Sequence, residues 1–298
     1  MTRKNRDDIY YELERISHED LKNYNKRHEQ INNYFRENYN YFSEQRRKIF
    51  PDLLNSIRKK FSTFEFANFQ RAITYKYSLT PLSAQGSILN GVGGRFNIGK
   101  LNPNIPKFSA LYIAEDVETA IKEKNQIGKD DQSFGLDSSE LALLNNKGSF
   151  SCIAVSGYLE QTLDLTVKEN LKDFFYLIKN IKLSKNLREM ANKIKVPVLP
   201  EIKTLKELYD TIFDENYRRN GMLFDLPSNS QILGHIAFEA GVQAIKYPSK
   251  FTKKTCLAIY PQNFYESEIS FVKINSETPN EMKDIEKQID KNTFKNFV

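Results

Sequence analysis

Cysteine, histidine and glycine are scarce in this chain, and each scarcity removes a class of explanation. Cys152 and Cys256 are the two cysteines in 298 residues, and neither lies in a CxxC pair. Neither a disulfide scaffold nor a zinc site is therefore indicated, and the thiols are expected to be reduced. The three histidines, His18, His28 and His235, are scattered, so no metal-ligand cluster can be assembled and no metal is expected. No apolar run is long enough to span a bilayer. The N-terminal MTRKNRDDIYYELER carries charges where a signal peptide needs hydrocarbon. These absences point to a cytoplasmic protein with no membrane partner. Glycine is the informative case: of 12 in the chain, four fall within Asn90–Lys100, NGVGGRFNIGK, around a single arginine.

What is present is enough for a folded core. Hydrophobic residues are 40% and aromatics 12% of the chain, including 21 Phe and 16 Tyr. Charged residues are 28%, near the globular average. The net charge is +6, which fits an anionic ligand and is modest for a nucleic-acid binder.

Residues 1–65 hold no glycine and one proline, Pro51, and read as an N-terminal helical region. Leu21, Tyr24, His28, Ile31, Phe35 and Phe42 fall near helical spacing, and Ser17 with Asp20 reads as a cap opening a helix at His18. A second helix follows Pro51, with Leu53, Leu54, Ile57 and Phe61 on its buried side. The pair is expected as a hairpin. With 14 Lys/Arg against 11 Asp/Glu it is no nucleic-acid arm. Its stripe suits packing on the following domain, or docking of a partner.

From Phe66 the composition becomes mixed. Phe69–Tyr77, Ser109–Ala114, Ser151–Leu159, Gln243–Tyr247, Thr255–Tyr260 and Ile269–Ile274 read as strands, with Thr162–Leu165 extending the sheet. Val117–Gln126, capped by Asp116, reads as a helix, as does Gln231–Ala240. Residues 167–226 form a helical block inserted into this domain, which runs from 66 to 275. A C-terminal tail, 276–298, follows. Irregular alternation with adjacent strands at the end indicates α+β with an antiparallel or mixed sheet.

The glycine-rich stretch fits neither standard phosphate loop. Gly99-Lys100 is followed by Leu101, not Ser or Thr. Asn102-Pro103-Asn104-Ile105-Pro106 forbids the helix that a dinucleotide fingerprint requires. It reads instead as an irregular loop that lets backbone approach something flat or bulky, with Arg95 offering a planar fork to phosphate or carboxylate. Taken alone, a turn with a solvated arginine fits equally well.

The order of surrounding features decides between these. Arg71 lies on an early strand. GGRFN (93–97) follows, then Leu111-Tyr112-Ile113-Ala114, a helix closing on Ala120-Ile121-Lys122-Glu123, and Leu163-Asp164-Leu165-Thr166. Ser228-Asn229-Ser230-Gln231, Gly241-Val242-Gln243-Ala244-Ile245 and Tyr247-Pro248-Ser249 come last. From about Phe69 to Phe264 this pattern resembles the RES-domain family, named for an arginine, a glutamate and a serine. Ala244 departs from it, since glycine is commoner there; the 167–226 block is longer than usual, and the N-terminal region lies outside it.

The resemblance implies an ADP-ribosyltransferase-like fold with a split sheet that holds NAD+ as substrate. It also implies a toxin of a toxin–antitoxin pair that cleaves NAD+ by hydrolysis or phosphorolysis. Glu123, Arg71 and Ser249 become the catalytic candidates. Arg95, Tyr112, Gly94 and Asn97 become the NAD-binding candidates. Glu123 suits the charge of an oxocarbenium-like transition state. Arg71 and Arg95 suit a diphosphate, Tyr112 suits stacking on nicotinamide, and Asn97 suits bracing the loop. Outside the motif context each has an ordinary reading: exposed helix glutamate, edge-strand arginine, core tyrosine, serine of a turn. The implied partners are NAD+ and a cognate antitoxin or immunity protein, with a homo-oligomer left open. Water and phosphate both stay open as acceptors. The rival readings are an ADP-ribosyltransferase acting on a protein or nucleic acid, and a non-catalytic nucleic-acid-binding protein.

Overall fold

The computed structural model describes residues 18–89, 91–125, 149–275 and 286–298. The expected cap at Ser17 lies outside them. In chain order the elements are α1 (His18–Lys48), α2 (Phe50–Arg58), β1 (Phe61–Thr74), α3 (Gly86–Leu89), β2 (Leu111–Ala114) and α4 (Val117–Asn125). There follow β3 (Phe150–Asp164), α5 (Lys172–Ile178), α6 (Lys185–Lys193), α7 (Leu205–Ile212), α8 (Arg219–Phe224) and α9 (Asn229–Glu239). The last are β4 (Ala244–Pro248), β5 (Thr255–Ile259), β6 (Phe271–Ile274) and β7 (Gln288–Ile289). The protein is a mixed α+β fold. No helix among the described residues is long and apolar enough to cross a membrane.

The chain divides into two compact units, Met1–Lys48 with Ile181–Glu201, and Ile49–Asn180 with Ile202–Val298. The two helices expected as a hairpin thus belong to different units. The block 167–226 is shared as well: α6 lies in the smaller unit, and α5, α7 and α8 in the larger. In the smaller unit the buried positions of α1 are Tyr34 and Asn38, one turn apart, whereas Tyr24 is 68% exposed and His28 is exposed. The stripe read from spacing is thus exposed at Tyr24 and His28 and half-buried at Ile31, Phe35 and Phe42. Asn38 Nδ2 donates to the Tyr34 carbonyl, and Tyr41 Oη donates to the Lys182 carbonyl at 2.8 Å.

In the larger unit α2 buries Leu53 and Ile57. It stops at Arg58, where the Lys59 and Lys60 amides close onto the Asn55 and Ile57 carbonyls. Phe61, expected on the buried side of α2, instead opens β1. That strand starts eight residues before its expected position and ends at Thr74, because Tyr75–Tyr77 coil into a 3-10 turn.

The seven strands among the described residues are hydrogen-bonded into one connected set. β1 and β3 pair antiparallel along nearly their full length, from Phe61↔Leu163 to Thr74↔Phe150. The register shifts between Ser62 and Phe64 and again between Phe66 and Phe69. Bulges of this kind bend a strand pair. Asn68, at φ 58, sits in the second bulge, and Gly157 leaves room for the Phe66 ring, which an added Cβ would meet at 2.7 Å. The bend lets the free edge of β1 take β2 at Gln70↔Ala114, and β2, β5 and β4 lead back to the far end of β3. β3–β4 is the parallel pairing, and five strands close a ring. The two strand segments expected around 151–165 are one strand, β3.

The core runs along this ring, with Leu159, Leu257, Ile259 and Phe264 fully buried. It also includes Ile289 on β7 and Phe297, 0% and 5% exposed, so the last residues complete the sheet and core, with β7 paired to β6. Their apolar side chains explain why this end of the chain is packed rather than trailing.

Candidate active site: a cavity between the glycine-rich loop and helix α4

Asp116 caps α4 by accepting the Thr119 amide at 2.8 Å. The helix buries Ala120 and Ile121 against the sheet, and this fixes its rotation. Glu123 follows one turn after Ala120 and faces the same cavity. Across from it, β4 ends at Pro248, and Ser249 begins a tight turn in which its amide donates to the Lys254 carbonyl. Ser249 Oγ accepts the Phe251 and Thr252 amides at 3.2 and 3.3 Å, so its own proton is directed at Glu123 Oε1, 2.6 Å away. The Lys250 amide donates to the same oxygen at 3.2 Å. Ser249 is completely buried. It stands behind the carboxylate and does not line the cavity.

The glycine-rich loop forms the opposite wall. Gly91 and Gly93 have φ of 66 and 97, in the left-handed region that disfavours side chains. Gly94 lies directly over Tyr112: a Cβ there would meet the hydroxyl at 2.4 Å. The flat group that the loop approaches is thus the protein's own ring. Asn97, fully buried, braces the turn. Its Oδ1 accepts the Gly94 amide and the Tyr112 hydroxyl, both at 2.9 Å, and its Nδ2 donates to the Ser87 and Phe108 carbonyls. The Tyr112 hydroxyl in turn accepts the Phe96 amide at 3.0 Å. Burial, with Tyr217 nearby, raises the Tyr112 hydroxyl well above its ordinary range and keeps it a donor. From below, Gln231 Nε2 lies within 3.1 Å of three carbonyls, those of Val92, Gly94 and Asn97. Gln231 is itself held by a capping box with Ser228 at the start of α9.

The two arginines have different surroundings. Arg71, on β1, donates through Nη2 to the Ser83 carbonyl at 2.6 Å, while its Nε is buried with no partner. Loss of water lowers this guanidinium to about 9, and no carboxylate among the described residues offsets it. It stays charged at neutral pH and is electrostatically short of an anion. Arg95 is buried, and its Nη1 donates to the Ile212 and Asp214 carbonyls at 3.1 and 2.9 Å. Its guanidinium also lies 4.7 Å from the centre of the Tyr217 ring.

Arg71, Gly94, Arg95, Tyr112 and Glu123 all border one cavity of about 380 Å³. Asn97 and Ser249 support it from behind. Four further wall residues, Lys124, Tyr217, Arg218 and Tyr247, escape sequence reasoning. Tyr247 sits within the Tyr-Pro-Ser motif but reads as strand core. Tyr217 and Arg218 lie in DENYRR, a charged stretch that reads as the solvated end of a helix. Neither carries a periodic or spacing signal that would send it toward the loop. Tyr247 is raised well above its ordinary range by burial, with Cys256 and Glu123 close by. Cys256 is raised likewise and remains a thiol.

The cavity therefore pairs a carboxylate held by a serine with a desolvated guanidinium, between aromatic walls. No curated protein matches the chain in sequence. Among solved structures, a chain of the M. tuberculosis MbcT–MbcA toxin–antitoxin complex resembles it with 14% identity and a TM-score of 0.40, covering 83% of this chain and 96% of that one. The RES-domain family matches residues 68–276, which contain every residue of the site just described. The chain belongs to the RES-domain family.

Proposed function

We propose that the protein is a toxin that cleaves the bond between nicotinamide and ribose in NAD+, passing the ADP-ribosyl group to water or inorganic phosphate. The observation that carries this reading is the shared cavity, with Glu123 fixed by Ser249 and Arg71 lacking a counter-anion among the described residues. Family membership supports it, as does a mixed sheet consistent with an ADP-ribosyltransferase-like core.

The chemistry needs little else. The C1′–N1 bond breaks with its electron pair moving to the pyridinium nitrogen, so nicotinamide leaves as a neutral molecule. The ribose becomes oxocarbenium-like, and the Glu123 carboxylate stabilises the positive charge and orients the ribose hydroxyls. An oxygen of water or phosphate then bonds to C1′ and releases its proton to solvent. Arg71 faces an anionic part of the dinucleotide, and Tyr112 with Tyr247 walls the ring. Ser249 acts through Glu123 by holding its rotamer. An antitoxin is the partner that such an activity requires in its own host.

The test is product analysis by mass spectrometry after incubation with NAD+, with and without phosphate. Nicotinamide with ADP-ribose, or with its phosphate ester, is expected. Intact NAD+ under both conditions, with no labelled macromolecule, would overturn the reading. Label on a protein or nucleic acid would select the ADP-ribosyltransferase alternative.

A further inference from the structure

The turn that follows α7 reaches into the cavity. The carbonyls of Ile212, the last residue of α7, and of Asp214 hold Arg95, and Tyr217 then turns inward and is 6% exposed. The next residue, Arg218, is exposed at the cavity rim. Arg218 Nε donates to Tyr217 Oη at 3.0 Å, and its guanidinium carbon lies 5.4 Å from that ring's centre. One tyrosine thus orients two guanidinium groups, those of Arg95 and Arg218.

The three arginines of the cavity differ in what they can still donate. Arg71 is half-buried in the wall, with Nη2 on the Ser83 carbonyl. Arg95 has Nη1 occupied by two carbonyls. Arg218 has only Nε engaged, and its Nη1 and Nη2 meet no protein acceptor among the described residues. A planar fork held at its base, with both terminal amino groups open to a cavity mouth, is the arrangement that binds phosphate oxygens bidentately. Lys250 is pushed below its ordinary value by burial and by Arg95, with Glu123 and Glu215 opposing the shift and Arg218 adding to it.

We propose that Arg218 is the diphosphate-recognising residue of this site, brought to the cavity mouth by the segment after α7 and aimed by Tyr217. Because Arg95 is tied to the same segment, the loop and the helical block form one binding wall. The inference rests on the NAD+ reading and deepens it by naming where the substrate's charge is read.

The experiment is calorimetric titration of ADP-ribose into the wild type, Arg218→Ala and Arg218→Glu, alongside NAD+ kinetics for each. ADP-ribose binds without reacting, so affinity is measured independently of turnover. Loss of one charge-assisted contact predicts about a tenfold weaker Kd and a similarly raised KM for Arg218→Ala, with kcat within about twofold. Arg218→Glu weakens binding further, because its charge repels phosphate. The wild type also loses affinity more steeply with salt than Arg218→Ala does. Wild-type affinity retained in both variants, with NAD+ turnover intact, would overturn the Arg218 assignment alone. Absence of ADP-ribose binding and of nicotinamide release in the wild type would overturn the NAD+ reading and this inference together.

Discussion

Ser249 Oγ donates its proton to Glu123 Oε1 at 2.6 Å, while both of its own acceptor positions are taken by backbone amides. Among the described residues the serine hydroxyl donates to Glu123 and to no other group, and so holds the carboxylate in one orientation. Ser249→Ala is expected to lower kcat about tenfold and to destabilise the fold by about 1–2 kcal/mol, through the lost hydrogen bond and the two stranded amides. NAD+ kinetics and thermal unfolding check both. Undiminished kcat would mean that the clamp has no catalytic role.

Gly94→Ala puts a methyl group onto the Tyr112 ring, 2.4 Å from its hydroxyl. Either the loop or the ring must move, and Asn97 couples the two. A displacement of about 1 Å predicts a loss of about 10² in kcat/KM with a fold that still unfolds cooperatively. Kinetics together with circular dichroism separate this from misfolding. An active Gly94→Ala would show that the loop's approach to Tyr112 does not matter.

Arg71 is expected to make the folded state less stable at neutral pH, because its charge is desolvated with one backbone carbonyl as partner and no carboxylate among the described residues. The group is a base whose folded value, about 9, lies below its ordinary one. The unfolded chain therefore holds the proton at pH values where the folded chain has released it. Its contribution to stability is unfavourable below about pH 9 and improves as pH rises beyond that. Arg71→Met is expected to be as stable as the wild type at pH 7, or more stable by up to about 3 kcal/mol. The alkaline gain should vanish in the variant, and so should ADP-ribose binding. Denaturant unfolding at pH 7 and pH 10 provides the comparison. A variant that is strongly destabilised and still binds ADP-ribose would contradict this.

Gln231→Ala removes the amide that three loop carbonyls share. The Val92 carbonyl keeps the Gly99 amide, and stranding the Gly94 and Asn97 carbonyls predicts about 2–3 kcal/mol of destabilisation. Hydrogen exchange should rise in the loop at Gly94 and Phe96 before it rises in β3. Exchange that rises equally everywhere would mean that Gln231 supports the whole fold and not the loop in particular.

The sequence revealed the site in its local parts and hid its assembly. Arg71, Gly94, Arg95, Tyr112 and Glu123 were legible because motif residues kept their order along the chain, and all five border the cavity. The roles of Tyr217 and Arg218 were not. They reach the loop through tertiary packing of the helical block, and a charged helix end gives no hint of that. The strands at 111–114, 244–248 and 255–259 showed their β-branched and aromatic composition. The start of β1 did not, since FSTFEFANF alternates only loosely, and its bulges break the period of two. In α1 the spacing did not separate Tyr24 and His28, which are exposed, from Ile31, Phe35 and Phe42, which are half-buried, because helical periodicity alone does not say how far along a helix its packing extends. The closing strand β7 is two residues long, too short for any periodic signal.

The most direct measurement is nicotinamide release from NAD+ by the wild type and by Glu123→Gln, with folding of both verified by circular dichroism. The Glu123 carboxylate, set in the same hollow as Arg71, predicts steady release by the wild type. It predicts a fall of about 10³-fold in kcat for the variant, with ADP-ribose affinity little changed. Equal release from the two proteins, or none from the wild type, would contradict it.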